Sequence, residues 1–400
     1  GLFICALLSK SATCPLPVAL FLILWWKKER LRSRDVYPLI PFVLAAAAMG
    51  LVTTLLERHL GASGSAWNLS LVEKTLVAGR ALWFYAAKCL WPTNIVFIYP
   101  RWKIEAGAIW QYIFPLMAVA LLVALVLLRK RIGKGPAVAA GYFVIMTAPA
   151  LGFLNIYFAR YSFVQDHFQY YGSVGLMTLP AFVLDRLAAP QTQERSLLRA
   201  GIGISFTLVL LSTLGTISWG LQQNYRNEEV LWRATLKANP GAAIAHANLG
   251  RLLMERGDMA EAGRELKQAI RLGPGLHEVW NNYAAWLIKS RRQADAVSCL
   301  GKALELNPTY PQAAANLALA ELQLGHVDMA GQAAERALQL DSSLPDAHNT
   351  LGIVMIQHGN IEQAIEHFEA AVRLAPGDAG YERNLDRARS MLPQGQPPTP

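Results

Sequence analysis

Acidic residues are scarce in the first half of this 400-residue chain: residues 1–226 hold 8 Asp+Glu against 21 Lys+Arg, whereas 227–400 hold 20 against 16. The formal net charge of +9 therefore comes entirely from the first half. Basic residues there separate apolar runs, as membrane topology signals do, which excludes reading the charge as a nucleic-acid-binding face. Cysteine is rare as well. Cys5, Cys14, Cys89 and Cys299 lie far apart with no CxxC spacing, so a disulfide framework is excluded. Neither a phosphate-cradling glycine loop nor a nucleophile elbow occurs. His246, His277, His348, His358 and His367 are dispersed without a ligand cluster, and no metal site is expected. No initiator Met or charged signal-peptide start precedes the apolar stretch at Gly1, so the chain is expected to be the downstream part of a longer protein.

What is abundant is apolar surface: 53% of residues are hydrophobic and 16% charged, too apolar for one ordinary soluble domain. Uncharged runs at 36–56, 106–128, 135–159, 167–184 and 200–225 approach or exceed the roughly 20 residues that cross a bilayer as a helix, so five spans are expected. A sixth stretch, 1–26, is interrupted by Lys10, Pro15 and Pro17, and reads either as one broken span or as two helices meeting near Ser9–Cys14. Basic residues cluster in loops 27–35, 129–134 and 185–199, which the positive-inside rule places in the cytoplasm. For the first two loops to share a side, segment 75–91 must not cross; with Arg80 and Lys88 among Trp83, Phe84, Tyr85 and Trp91, it reads as an interfacial or re-entrant helix that contacts anionic headgroups and carries an aromatic belt. Everything after Arg226 is then extracytoplasmic. The protein is expected in a bacterial inner membrane, or in the endoplasmic reticulum membrane if eukaryotic.

From residue 243 the sequence repeats with a 34-residue period. Leu249, Tyr283, Leu317 and Leu351 share one column, Gly257, Arg291, Gly325 and Gly359 a second, and Ala262, Ala296, Ala330 and Ala364 a third. Pro274, Pro308 and Pro376 end repeats, with Ser342 the exception. Such columns resemble the tetratricopeptide (TPR) pattern, in which small residues recur where two helices of one unit cross closely. Four repeats follow, 243–276, 277–310, 311–344 and 345–378, with a degenerate half repeat at 227–242, a capping helix at 379–392 and a disordered Pro-rich tail at 393–400. The first helices form a concave face carrying Asn248, Asn282 and Asn316, with Thr350 in the fourth repeat. An amide offers a donor and an acceptor together, so such a ladder can bind an extended polypeptide regardless of its sequence; the alternative is that it only solvates the groove. The fold class is thus all-α, a polytopic helical membrane domain over 1–226 followed by a TPR α-solenoid.

The combination resembles the transmembrane-and-TPR proteins related to eukaryotic protein O-mannosyltransferases of the cadherin-modifying type, and their bacterial relatives. The resemblance rests on Leu7-Leu8-Ser9-Lys10 followed by Pro17 and Trp25-Trp26; on Trp91-Pro92-Thr93-Asn94 leading to Tyr99-Pro100-Arg101-Trp102; and on the stretch from Tyr161 to Gly175, which includes Gln165-Asp166-His167-Phe168. It implies a membrane fold of the GT-C type, here its C-terminal part, with a polyprenyl-phosphate-linked sugar as donor substrate. Transfer would be to Ser or Thr of a protein on the extracytoplasmic or lumenal side. It also implies that the catalytic acidic residues lie in a loop upstream of Gly1, so this chain is expected to lack the base. The eukaryotic proteins typically carry Arg at the position of His167.

A lipid-phosphate donor needs cations at the bilayer surface, and Lys10, Arg101, Arg160 and His167 each adjoin an apolar run on the extracytoplasmic side. Asp166 beside His167 reads as an orienting ion-pair partner, the alternative being an acid/base pair. The expected partners are membrane lipids and, through the groove, an acceptor polypeptide or envelope proteins. A non-enzymatic membrane-anchored scaffold for envelope proteins, or an envelope glycan ligase or polymerase, is the alternative function.

Overall fold

The computed structural model describes residues 1–59, 68–154, 157–188 and 193–392, so the expected tail at 393–400 lies outside the described residues. It is all-helical, with no strand among the described residues, and divides into two compact units, 1–227 and 228–400.

In the first unit the N-terminal apolar stretch forms two helices, α1 (Leu2–Ser9) and α2 (Leu16–Lys27), joined through a turn at Lys10–Cys14. Pro15 and Pro17 set the start of α2, where a missing N–H costs nothing. There follow α3 (Ile40–His59), α4 (Leu71–Leu90), α5 (Ile113–Leu127), α6 (Gly135–Thr147), α7 (Tyr170–Ala188) and α8 (Gln193–Gln222). Three stretches among the described residues are long and apolar enough to cross a membrane: Ser33–Glu57, Ile109–Leu127 and Gly203–Tyr225. The expected span at 135–159 is not one helix. It stops at Thr147, a 3-10 turn over Ala148–Ala150 carries Pro149, and the apolar helical stretch Gly135–Ala150 reaches only about 24 Å. The chain from 157 to 169 then runs as short turns to α7, which has Pro180 in its interior.

Segment 75–91 belongs to α4, whose Leu76, Val77, Ala78, Ala81 and Tyr85 are buried; Ala78, Ala81 and Tyr85 share a core with Tyr99, Phe143, Leu151 and Val164. Two of the expected belt residues are packing groups instead: Tyr85 is fully buried, and Trp83 Nε1 donates to the Phe114 carbonyl; Trp91 is exposed. The two basic side chains turn inward as well. Arg80 lies over the Trp102 ring, and Lys88 donates to the carbonyls of Thr93 and Asn94.

Helices α6 and α7 approach closely because Gly172 and Gly175 lack side chains; a Cβ at Gly175 would lie 2.6 Å from the Ala139 carbonyl oxygen. Helix α6 also packs along α2, running the opposite way. At one end of this pair Lys134 Nζ donates to the carbonyls of Trp25 and Lys28, joining loops 27–35 and 129–134. At the other end Lys10–Cys14 meets Pro149 and Ala150.

The second unit stacks α9 (Glu228–Ala238) and four helix pairs: α10 (Ala243–Glu255) with α11 (Met259–Leu272), α12 (His277–Lys289) with α13 (Gln293–Leu306), α14 (Pro311–Gln323) with α15 (Val327–Leu340), and α16 (Pro345–Gln357) with α17 (Ile361–Leu374). Helix α18 (Ala379–Ser390) packs on the last pair. Ala262, Ala296, Ala330 and Ala364 are fully buried at the crossings. Each inter-helix turn needs a positive φ, which Gly257, Gly325 and Gly359 adopt freely and Arg291 adopts at φ 57°.

Candidate functional site

The end of the first unit away from its basic loops holds a cavity of about 220 Å³. Its lining combines Lys10, Ser11 and Cys14 from the α1–α2 turn, Thr53, Thr54 and Glu57 from the end of α3, Pro149 and Ala150 after α6, and His167, Phe168 and Tyr171 from the entry to α7. Four chain segments far apart in sequence meet here because the breaks at Lys10–Cys14 and Pro149 end their helices at the same level.

Lys10 and His167, both expected to contact phosphate, are exposed on this cavity. The Lys10 ammonium lies 5.8 Å from the Tyr171 ring centroid, a cation–π contact that steadies it. Partial desolvation, and then the positive charge of Lys10, push the His167 pKa below its ordinary value. His167 is thus mainly a neutral hydrogen-bonding group near pH 7, and Lys10 is the cation. Glu57 brings a carboxylate, and its Oε2 accepts from the Tyr157 backbone N–H at 2.8 Å.

Arg160 and Arg101 are not in this lining. Arg160 lies over the rings of Tyr157 and Tyr161, its Nη1 3.3 Å from Tyr157 Oη, and so adjoins the residue that holds Glu57. Arg101 lies over Phe163, 4.7 Å from its centroid. Asp166 is directed to Tyr99, whose hydroxyl is 2.9 and 3.0 Å from the two carboxylate oxygens, and not into an ion pair with His167. Burial raises the Asp166 pKa, while the Tyr99 hydrogen bond and the charge of Lys88 oppose that shift. Backbone geometry explains the divergence: residues 166–169 form a 3-10 turn, in which successive side chains point about 120° apart.

Glu57 is the residue that sequence reasoning missed. The available signal was its position as the charge that closes run 36–56, on the side already assigned to Lys10 and His167. Among the described residues no group of three or more His, Cys, Asp or Glu is placed to hold a metal ion.

In the second unit the asparagines link successive first helices. Asn316 Nδ2 donates to Asn281 Oδ1 at 2.8 Å, Asn384 Nδ2 to Asn349 Oδ1 at 2.8 Å, and Asn282 Nδ2 reaches the Ala247 carbonyl at 3.5 Å. Asn248 is half-buried, and Thr350 is buried. Asn282 and Asn316 therefore spend an N–H within the stack. Tetratricopeptide repeat family models match residues 229–277, 287–345 and 345–378.

Residues 229–378 are built of tetratricopeptide repeats. Solved TPR structures resemble part of the chain. YrrB, described as a TPR protein with an unusual peptide-binding site, is 20% identical with a TM-score of 0.33, covering 46% of this chain and 88% of that one. The TPR protein TTC0263 of Thermus thermophilus is 22% identical with a TM-score of 0.37, covering 45% and 97%. Among curated proteins, Protein O-mannosyl-transferase Tmtc2 of Drosophila melanogaster is 29% identical over 137 residues, 34% of this chain. The match spans only 14% of that relative's length.

Proposed function

We propose that this chain is part of a membrane glycosyltransferase that moves a sugar from a polyprenyl-phosphate donor to Ser or Thr of an extracytoplasmic polypeptide, which the TPR unit engages. The observation that carries this reading is the meeting of Lys10, Glu57 and His167 in one cavity at the end of the unit opposite its basic loops. The Lys10 ammonium neutralises the phosphate as it departs from the sugar. His167 supplies a hydrogen bond to the same group, and hydroxyl-bearing Ser11, Thr53 and Thr54 surround the sugar. The Glu57 carboxylate, oriented by the Tyr157 N–H, takes the proton of the attacking hydroxyl. On this reading the base comes from α3 of this chain and not from a loop upstream of Gly1. The similarity to an O-mannosyl-transferase over 137 residues supports the same reaction class.

The test uses the full chain in lipid nanodiscs and a photoactivatable polyprenyl phosphate. Lys10→Met is expected to lower labelling at least tenfold, while Lys130→Met in the basic loop leaves it unchanged. Undiminished labelling of Lys10→Met overturns the site.

A further inference from the structure

The basic loops of the first unit are more ordered than a topology signal requires. Loop 27–35 carries Lys27, Lys28, Arg30, Arg32 and Arg34 against Glu29 and Asp35, and loop 129–134 carries Arg129, Lys130, Arg131 and Lys134 with no acid. Orientation in a membrane depends on how many such charges a loop holds, not on how the loops are shaped. Both loops are nonetheless fixed. Asp35 closes the first on itself: it pairs with Lys28, and its Oδ2 accepts from the Arg32 backbone N–H at 3.0 Å. Lys134 then ties the second loop to the first, its ammonium 2.9 Å from each of the carbonyls of Trp25 and Lys28 at the end of α2, where helical partners run out.

What this order presents is a set of unmatched arginines. Arg30, Arg32, Arg34 and Arg131 are exposed, and among the described residues none of their guanidinium groups has a hydrogen bond or an ion pair. Exposed arginines of the second unit are matched instead: Arg233 lies 2.9 Å from Glu229 and 3.0 Å from Glu261, and Arg389 2.7 Å from Glu369. The four also stand at headgroup depth. The apolar stretch Ser33–Glu57 begins inside the first loop, and Ile109–Leu127 ends just before Arg129. Trp26, 46% exposed with the Lys27 ammonium over its ring, belongs to the same interfacial layer.

We propose that the joined loops bind the headgroup of a phospholipid that carries two phosphate groups, with Arg30, Arg32 and Arg34 holding one phosphate and Arg131 the other. A guanidinium fork matches phosphate oxygens in pairs, which a lysine cannot do. One phosphate satisfies one loop; two phosphates joined through a glycerol span both, and Lys134 keeps the loops within that reach. A lipid is favoured over an acidic protein because the arginines adjoin the ends of two stretches able to cross a membrane. This surface lies at the end of the unit opposite the Lys10 cavity and stands independently of the glycosyl-transfer reading.

The test is native mass spectrometry of the full chain in detergent, titrated with diphosphatidylglycerol and, separately, with phosphatidylglycerol. Diphosphatidylglycerol is expected to bind about fivefold more tightly, the gain from one further arginine on phosphate. Arg30→Gln, Arg32→Gln and Arg34→Gln combined, all at exposed positions, are expected to weaken it about tenfold or more. Arg131→Gln is expected to bring the two lipids to equal affinity. Lys134→Met, which keeps the four arginines and separates the loops, is expected to do the same; should it fail to fold, the arginine variants decide. Equal affinity for both lipids in the parent chain, or binding unchanged by the arginine variants, overturns the proposal. So does a doubly phosphorylated peptide that displaces the lipid at equal concentration, which would make this a protein-docking surface.

Discussion

Tyr99 Oη lies 3.0 Å from Asp166 Oδ1 and 2.9 Å from Asp166 Oδ2, so one phenolic proton serves both oxygens of a carboxylate 67 residues away. This link ties the loop after α4 to the turn before α7 and directs Asp166 out of the cavity that His167 lines. Tyr99→Phe removes the donor and leaves the carboxylate buried. A hydrogen bond to a charged group is worth about 2 kcal/mol, so the variant is expected to melt several degrees lower in nanodiscs. Full retention of thermal stability would show that the pair does not hold the two loops.

Glu57→Gln separates binding from chemistry in the proposed cavity. The amide keeps its size and can still accept from the Tyr157 N–H, so polyprenyl-phosphate labelling is expected to stay within twofold of the parent chain. Sugar transfer to a peptide is expected to fall by about 100-fold or more, in line with loss of a general base. Transfer that survives the substitution would remove Glu57 from the reaction.

Close packing of α6 on α7 predicts a sharp size limit. Gly175→Val would force its branches into the Ala139 carbonyl and the Tyr142 ring, 2.6 and 2.9 Å from where a Cβ would sit. Overpacking of this kind costs about 1–3 kcal/mol, and more where backbone must move. A lower yield of monodisperse protein and a lower melting temperature are expected. Gly215→Val, where a Cβ meets nothing within 4 Å, is the matched control and should behave like the parent chain.

His348 and His367 place their Nδ1 atoms 3.1 Å apart, and the tautomer follows from the carbonyl of Ser342. Because His348 donates from Nε2, its Nδ1 accepts the proton that His367 donates. Burial, and then the charge His348 would carry, lower the His367 pKa below its ordinary value, against the pull of Glu366 and Glu335. The unfolded chain therefore takes up this proton first as pH falls through about 6.5, and the folded TPR unit loses stability below that point. The melting temperature should drop between about pH 7.5 and 5.5, and less so in His367→Gln. An identical drop in both would assign the pH effect elsewhere.

Arg291 holds a left-handed backbone that its sister repeats give to glycine. Arg291→Gly relieves a cost of about 1–2 kcal/mol and restores about 0.5–1 kcal/mol of unfolded-chain entropy, so a net gain of about half a kcal/mol is expected from denaturant titration.

The tetratricopeptide repeats were legible in the sequence because their helices pack on their nearest neighbours in the chain. Each column of small residues reports one local crossing, and the period repeats that report four times. Loops 27–35 and 129–134, which their basic residues are expected to place on one side, meet through Lys134. The linear pattern misjudged the stretch from 135 to 159 and missed that Trp83, Tyr85 and Arg80 of α4 are packed against the unit. A uniformly apolar run has no preferred face, so composition does not tell that the run from 135 stops at Thr147; in α4 the aromatic and basic residues suit a headgroup layer and a packed core alike, and only the neighbouring elements make Tyr85 core.

Sequence alone thus determined the helical class and the presence of tetratricopeptide repeats, both consequences of local periodicity and composition. Only the tertiary structure decided that Lys10, Glu57 and His167 share a cavity while Asp166 turns to Tyr99. It alone decided that the asparagines bond from helix to helix. Those outcomes depend on tertiary packing, where the end of one helix meets the end of another more than a hundred residues away.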